Sequence, residues 1–134
     1  MKYTKAQREA YSQLLREKWK YAKALADRDE TAKALYVEMG KDVSYYSFYF
    51  TLMDMKKNGY DGLPYIDCKT FDGWRKIGMR VKKGEKSKIS GIVWLEFKTK
   101  RIVKDDEDKE KNKFIYPKLY HLFHRTQTEE VSKL

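Results

Sequence analysis

Ser44-Tyr45-Tyr46-Ser47-Phe48-Tyr49-Phe50-Thr51-Leu52-Met53-Asp54-Met55-Lys56-Lys57-Asn58-Gly59 is the most apolar stretch of the chain, and its reading as helix or strand decides the fold. The aromatic content alone favours a strand. Length argues for a helix of about 14 residues, with Ser44 or Asp42 able to cap its start and Asn58-Gly59 able to stop it. The segment is expected to be helical and, being apolar nearly all round, to form the central helix of the core.

Upstream, Thr4 followed three residues later by Gln7 is a capping box, in which each side chain satisfies a backbone donor that the first helical turn leaves open. Tyr11, Leu15, Trp19, Ala22 and Ala26 then recur at three- and four-residue steps, which predicts one helix with one buried stripe. Asp29 is a candidate cap for a second helix through Ala32, Leu35, Tyr36 and Met39, ending at Gly40. Trp19 and Trp94 sit on clear apolar patterns and are assigned to the core.

Downstream, the charge is concentrated. Between Lys69 and Lys88 stand eight cations (Lys69, Arg75, Lys76, Arg80, Lys82, Lys83, Lys86, Lys88) against Asp72 and Glu85, so this window carries +6 of a net charge of +10. Its pattern predicts a short helix capped by Asp67 or Thr70, a stop at Gly78, a strand start at Met79-Arg80-Val81 and a tight turn at Lys83-Gly84. Ile89 to Phe97 then reads as a strand, with Gly91 as a candidate bulge, and Phe114 to Phe123 as its partner. Pro117 lacks a ladder donor and belongs at an edge, a bulge or the strand's start. Lys98 to Lys113 holds seven cations and five anions with almost no apolar residue, and is expected to be a mobile hairpin tip. Helices first and strands second predict a single α+β domain of N-terminal helices packed on a small antiparallel sheet. Its helical part covers about residues 4–58, the basic helix-turn 67–88 and the hairpin about 89–124, with the tip at 99–113.

The run Thr70-Phe71, Trp74, Gly78 and Val81-Lys82-Lys83-Gly84-Glu85-Lys86, followed by a strand and by the close Leu122-Phe123-His124-Arg125-Thr126-Gln127-Thr128, resembles the N-terminal domain of the ArdC family of antirestriction proteins. That resemblance implies a single-stranded-DNA-binding module of plasmids and phages. Full-length family members continue into a metallopeptidase-like domain with a His-Glu-x-x-His zinc motif. The histidines here are His121 and His124, so no peptidase chemistry is carried over. Gly62-Leu63-Pro64-Tyr65-Ile66-Asp67 also departs from the family's Tyr-x-Gly-x-Asn-like stretch.

The residues themselves point the same way. No catalytic motif assembles, which predicts a non-enzymatic protein without cofactor or metal; in a strand, His121 and His124 fall on opposite faces. Lone Cys68 builds neither a disulfide framework nor a thiolate metal site. No apolar run approaches the roughly 20 residues of a membrane span, and the N-terminus leads into a charged helix, so a cytoplasmic protein is expected, and the resemblance implies a bacterial host cell. A strongly basic chain calls for a polyanionic partner and argues against a DNA mimic.

Cations neutralise phosphates on any nucleic acid, whereas stacking on aromatic faces selects unpaired bases. The expected site is therefore Lys69, Arg75, Lys76, Arg80, Lys82, Lys83, Lys86 and Lys88 along the backbone, with Trp74 and Tyr65 as stacking candidates. Trp74 could equally anchor the short helix, and Tyr45, Tyr46 and Tyr49 are read first as core. The expected partner is single-stranded DNA, with RNA as the other polynucleotide. The alternative function is a counter-defence inhibitor whose basic face binds a host nuclease or a CRISPR effector.

Overall fold

The computed structural model describes residues 2–131. Four helices, α1 (Lys5–Ala26), α2 (Glu30–Met39), α3 (Tyr45–Lys57) and α4 (Phe71–Arg75), are followed or interleaved by strands β1 (Cys68–Lys69), β2 (Met79–Val81), β3 (Ile89–Glu96), β4 (Ile115–His124) and β5 (Thr128–Glu130). The strands form a three-stranded sheet ordered β1-β4-β3 and a two-stranded sheet of β2 and β5. This is the α+β class expected. The chain divides into two compact units, one made of the chain up to Phe50 with Ile92–Lys118, the other of Thr51–Gly91 with the chain from Leu119 onward. The divisions fall inside α3, β3 and β4, so no linker marks them.

In the first unit, helix α1 begins at the Thr4 capping box, with both reciprocal bonds made, and buries Leu15, Trp19, Ala22 and Ala26. Asp29 caps α2 through the Ala32 N–H, and Gly40 ends it in the left-handed conformation that a Cβ would disfavour. The aromatic residues of α3 behave as core. Tyr45, half-buried, donates to the Ala26 carbonyl at 2.7 Å and Tyr49, buried, to Asp29 at 3.2 Å, so both hydroxyls have partners. The Trp19 and Trp94 rings meet edge-on, 5.5 Å apart.

The charged segment after β3, expected to be a mobile hairpin tip, is docked against β3 and α1. Its chain bonds back onto β3, with the Val103 N–H donating to the Trp94 carbonyl at 2.8 Å, and makes a 3-10 turn at Lys109–Lys111. The Arg16 guanidinium gathers that turn from α1, donating to the carbonyls of Glu110 at 2.9 Å and Ile115 at 2.6 Å, with longer bonds to Lys109 and Asn112. Lys109 is only 2% exposed; its ammonium lies 3.2 Å from Asp106 and 5.3 Å from the centre of the Trp19 ring. Burial pushes the Lys109 pKa down, against the pull of Asp106. Composition misjudged the segment because its docking groups are backbone carbonyls and one paired lysine, which leave no apolar signature.

In the second unit, Met55, Cys68, Ile89 and Leu122 form a buried cluster, flanked by Tyr60, Tyr65 and Tyr120. The C-terminal half of α3 joins β3 through Asp54, which accepts from the Ser90 N–H at 2.7 Å, and Thr51, which donates to the Ser90 carbonyl at 3.2 Å. Gly91 is a site of close approach. A Cβ there would lie 2.2 Å from the Tyr120 ring, whose hydroxyl is held by that of Tyr65 at 2.6 Å.

The strand expected at Met79-Arg80-Val81 and the turn expected at Lys83-Gly84 are both present; the strand pairs antiparallel with β5, a partner the sequence reading did not name, placing Arg80 opposite Glu129 and Val81 opposite Thr128. Pro117 lies within β4, the middle strand. It is tolerated because β1 pairs with β4 only at Phe123 and His124, leaving that flank of β4 without a β1 partner at Pro117.

Candidate nucleic-acid interface

All ten residues expected at the site belong to the second unit. The scaffold is a five-residue helix, α4, started by the Thr70 hydroxyl accepting from the Gly73 N–H and packed on β1 and β2. Gly78, at φ +82°, turns the chain out of that helix into β2. The basic loop after β2 is then pinned from the C-terminal segment. The Lys82 N–H donates to the Gln127 carbonyl at 2.9 Å, the Gln127 side chain donates to the Lys86 carbonyl at 2.8 Å, and the Ser87 hydroxyl donates to the Leu122 carbonyl at 2.7 Å. Gln127 is buried and also accepts from the His124 N–H, so the closing motif supports the lysine loop directly. That pairing joins the basic loop to the closing segment.

Neither stacking candidate is available as expected. Trp74 is 5% exposed, its indole N–H donates to the Phe123 carbonyl at 2.8 Å, and the Lys69 ammonium lies 5.6 Å from its ring centre. It is the anchor of α4. Tyr65 packs against the buried cluster, with its hydroxyl bonded to Tyr120, and burial raises its pKa. A base stacks on an exposed face, and these faces are covered.

The eight cations separate into two groups. Lys69 donates to the Tyr65 carbonyl at 2.7 Å, Arg80 pairs with Glu129 at 3.5 Å, and Lys82 donates to the Thr126 carbonyl at 3.2 Å. Arg75, Lys76, Lys83, Lys86 and Lys88 are exposed and make no ion pair among the described residues. An unpaired surface cation gives up no internal contact when it meets a phosphate.

One aromatic that sequence reasoning passed over takes the place of Trp74. Phe71, at the start of α4, is 52% exposed and borders an open groove of about 840 Å³ lined by Thr70, Asp72, Lys86, Ser87, His121 and Phe123. A helix this short can press one of its two aromatics into the core; the indole N–H, with a buried carbonyl within reach, decides for Trp74. The groove therefore joins an exposed ring to an unpaired lysine and an exposed imidazole.

The neighbouring polar groups are structural. His124 is buried, its Nε2 donates to the Asp61 carbonyl at 2.8 Å, its Nδ1 accepts from the Thr126 N–H at 3.3 Å, and its ring stacks on Tyr60. Arg125 bridges Asp61 at 2.8 Å and Asp67 at 3.1 Å, clamping the loop that precedes β1. Cys68 is buried against Met55, and desolvation pushes its thiol up to about 11, away from nucleophilic reactivity. Among the described residues no three side chains are grouped to hold a metal ion, and no helix is long and apolar enough to cross a membrane. No family model matches the chain, and comparison with curated proteins and with solved structures yields no match.

Proposed function

We propose that the protein binds single-stranded nucleic acid, DNA in the first instance, without catalysing a reaction on it. The observation that supports this reading best is the juxtaposition of exposed Phe71 with Lys86 and His121 in one groove, beside four further cations that make no ion pair among the described residues. Phosphates would exchange counterions for Arg75, Lys76, Lys83, Lys86 and Lys88, while an unpaired base lies on the Phe71 face; a duplex keeps its bases covered and gains only the first term. The resemblance of the basic loop and its closing motif to the ArdC N-terminal domain extends the proposal to a biological role: protection of a mobile element's DNA from host defence in the bacterial cytoplasm.

The test is replacement of Lys82, Lys83 and Lys86 together by Glu. Binding to an oligothymidine is expected to be abolished with the circular dichroism spectrum retained, because all three side chains are exposed. Unchanged affinity would remove this loop from the site.

One observation favours the second reading, a counter-defence inhibitor of a host nuclease or CRISPR effector. Ile77, next to Arg75 and Lys76, is 60% exposed, and an isolated aliphatic side chain serves a protein contact better than a phosphate track. A protein that retains a nuclease partner but no oligonucleotide would decide for that reading.

A further inference from the structure

A second groove, in the first unit, carries the same chemistry on different elements. It has a volume of about 1050 Å³ and lies between the first turns of α1 and the ends of β3 and β4. Tyr3, Tyr11, Phe97 and Tyr116 line it, and the first three are 67%, 52% and 52% exposed. Tyr11 belongs to the apolar stripe of α1 by spacing, yet it stays out of the core. Arg8 donates to the Tyr3 carbonyl at 2.9 Å and holds that residue on the helix. Lys100 donates to the Tyr116 hydroxyl at 3.1 Å with its ammonium 5.0 Å from that ring's centre, and the Phe97 and Tyr116 rings are 5.0 Å apart.

Two features point to the occupant. The charged side chains of the groove are Lys5, which pairs with Glu9 at 4.0 Å, and Arg8 and Lys100, each of which spends one donor inside the groove and keeps others for phosphate, so the balance is cationic. The lining also contains no Leu, Ile, Val or Met, the residues that a helix-binding groove would present; its apolar residues are the four aromatics and Pro117. Aromatic faces between cations are the surface that takes up unpaired bases.

We infer that this groove is a second base-stacking site, in which Tyr11 and Phe97 receive unpaired bases and Arg8 and Lys100 meet the adjoining phosphates. The inference rests on the single-strand reading above and assigns it additional residues.

The experiment is photocrosslinking of the full chain to an oligothymidine carrying 5-iodouracil, with peptide mapping, together with affinities of Phe97→Ala, Phe97→Tyr and Tyr11→Ala. Crosslinks are expected within residues 3–12 or 97–117 as well as at Phe71. Each alanine variant is expected to weaken binding by about 5- to 150-fold at an unchanged salt slope, and Phe97→Tyr to restore it. The map is made on the unaltered protein, so it stands even if a variant loses stability. Crosslinks confined to the Phe71 side, with Phe97→Ala at full affinity, would overturn the second site, assign these rings to a protein partner and leave the single-strand reading intact. No binding by the unaltered protein would remove both.

Discussion

Phe71 and Trp74 lie three residues apart on the same short helix, and their replacement by alanine should have opposite consequences. Trp74 is almost fully buried and hydrogen-bonded, so Trp74→Ala should cost about 3–5 kcal/mol of stability. At about 2.1 cal/mol/K per residue, the unfolding entropy of a chain of this length converts that loss into a Tm lower by about 10–18 °C. Phe71 is half exposed, and its removal should change stability by no more than about 0.5 kcal/mol. If it carries a stacked base, the same change should cost about 1–3 kcal/mol of single-strand affinity, a 5- to 150-fold rise in Kd. Fluorescence anisotropy with a labelled oligothymidine, alongside thermal denaturation by circular dichroism, separates the two effects. Phe71→Ala binding as tightly as the unaltered chain would refute the stacking role. Trp74→Ala that melts normally but binds weakly would show that the indole leaves its pocket to meet the base.

The remaining expectations concern charge and docking. Arg75→Gln and Lys83→Gln should each reduce the slope of log K against log salt by about 0.7, whereas Arg80→Gln, already paired with Glu129, should reduce it less; equal slopes would remove the distinction between paired and unpaired cations. Arg16→Lys keeps the charge but loses the fork that reaches several carbonyls, so it should cost about 1–3 kcal/mol and speed tryptic cleavage within 98–113; an unchanged digestion rate would mean that the segment is held by other contacts. Tyr45, through burial and the nearby Asp29, and Tyr46, through its hydrogen bond to Asp27 and burial, have pKa values raised to about 12. In the unfolded chain these phenols ionise near their ordinary value of about 10, so the stability they confer is complete below pH 10 and declines as pH rises from 10 towards 12. A Tm independent of pH across that window would show that the two phenols ionise equally in both states.

Where local chemistry decided structure, the sequence was a good guide. The Thr4 capping box, the Asp29 and Thr70 caps and the stops at Gly40 and Gly78 each act within a few residues, and each lies where the residues imply. The aromatic stretch became helix because Ser44 and Gly59 bound a length suited to one. Pairing at a distance was harder to read. β5 is three residues of Thr-Glu-Glu, which carries no strand pattern, so the return of the closing segment onto Met79-Arg80-Val81 had no local signal. The docked segment 98–113 was hidden for a related reason, since Arg16 reads its carbonyls and not its side chains. At the candidate site, the cations were legible as charge, but their division into paired and unpaired depends on Glu129, Thr126 and Tyr65, all set by tertiary contacts. The exchange of roles between Trp74 and Phe71 turned on one carbonyl, that of Phe123, arriving from β4.

The central claim is preference for an unpaired strand through a cationic and aromatic surface. Its most direct test is anisotropy of a labelled oligothymidine of about 20 nucleotides, competed by unlabelled duplex and by RNA at several salt concentrations. The single strand is expected to outcompete duplex, and affinity to fall steeply as salt rises. Equal competition by duplex would contradict stacking, and absence of binding at low salt would contradict nucleic acid as the partner of the basic loop.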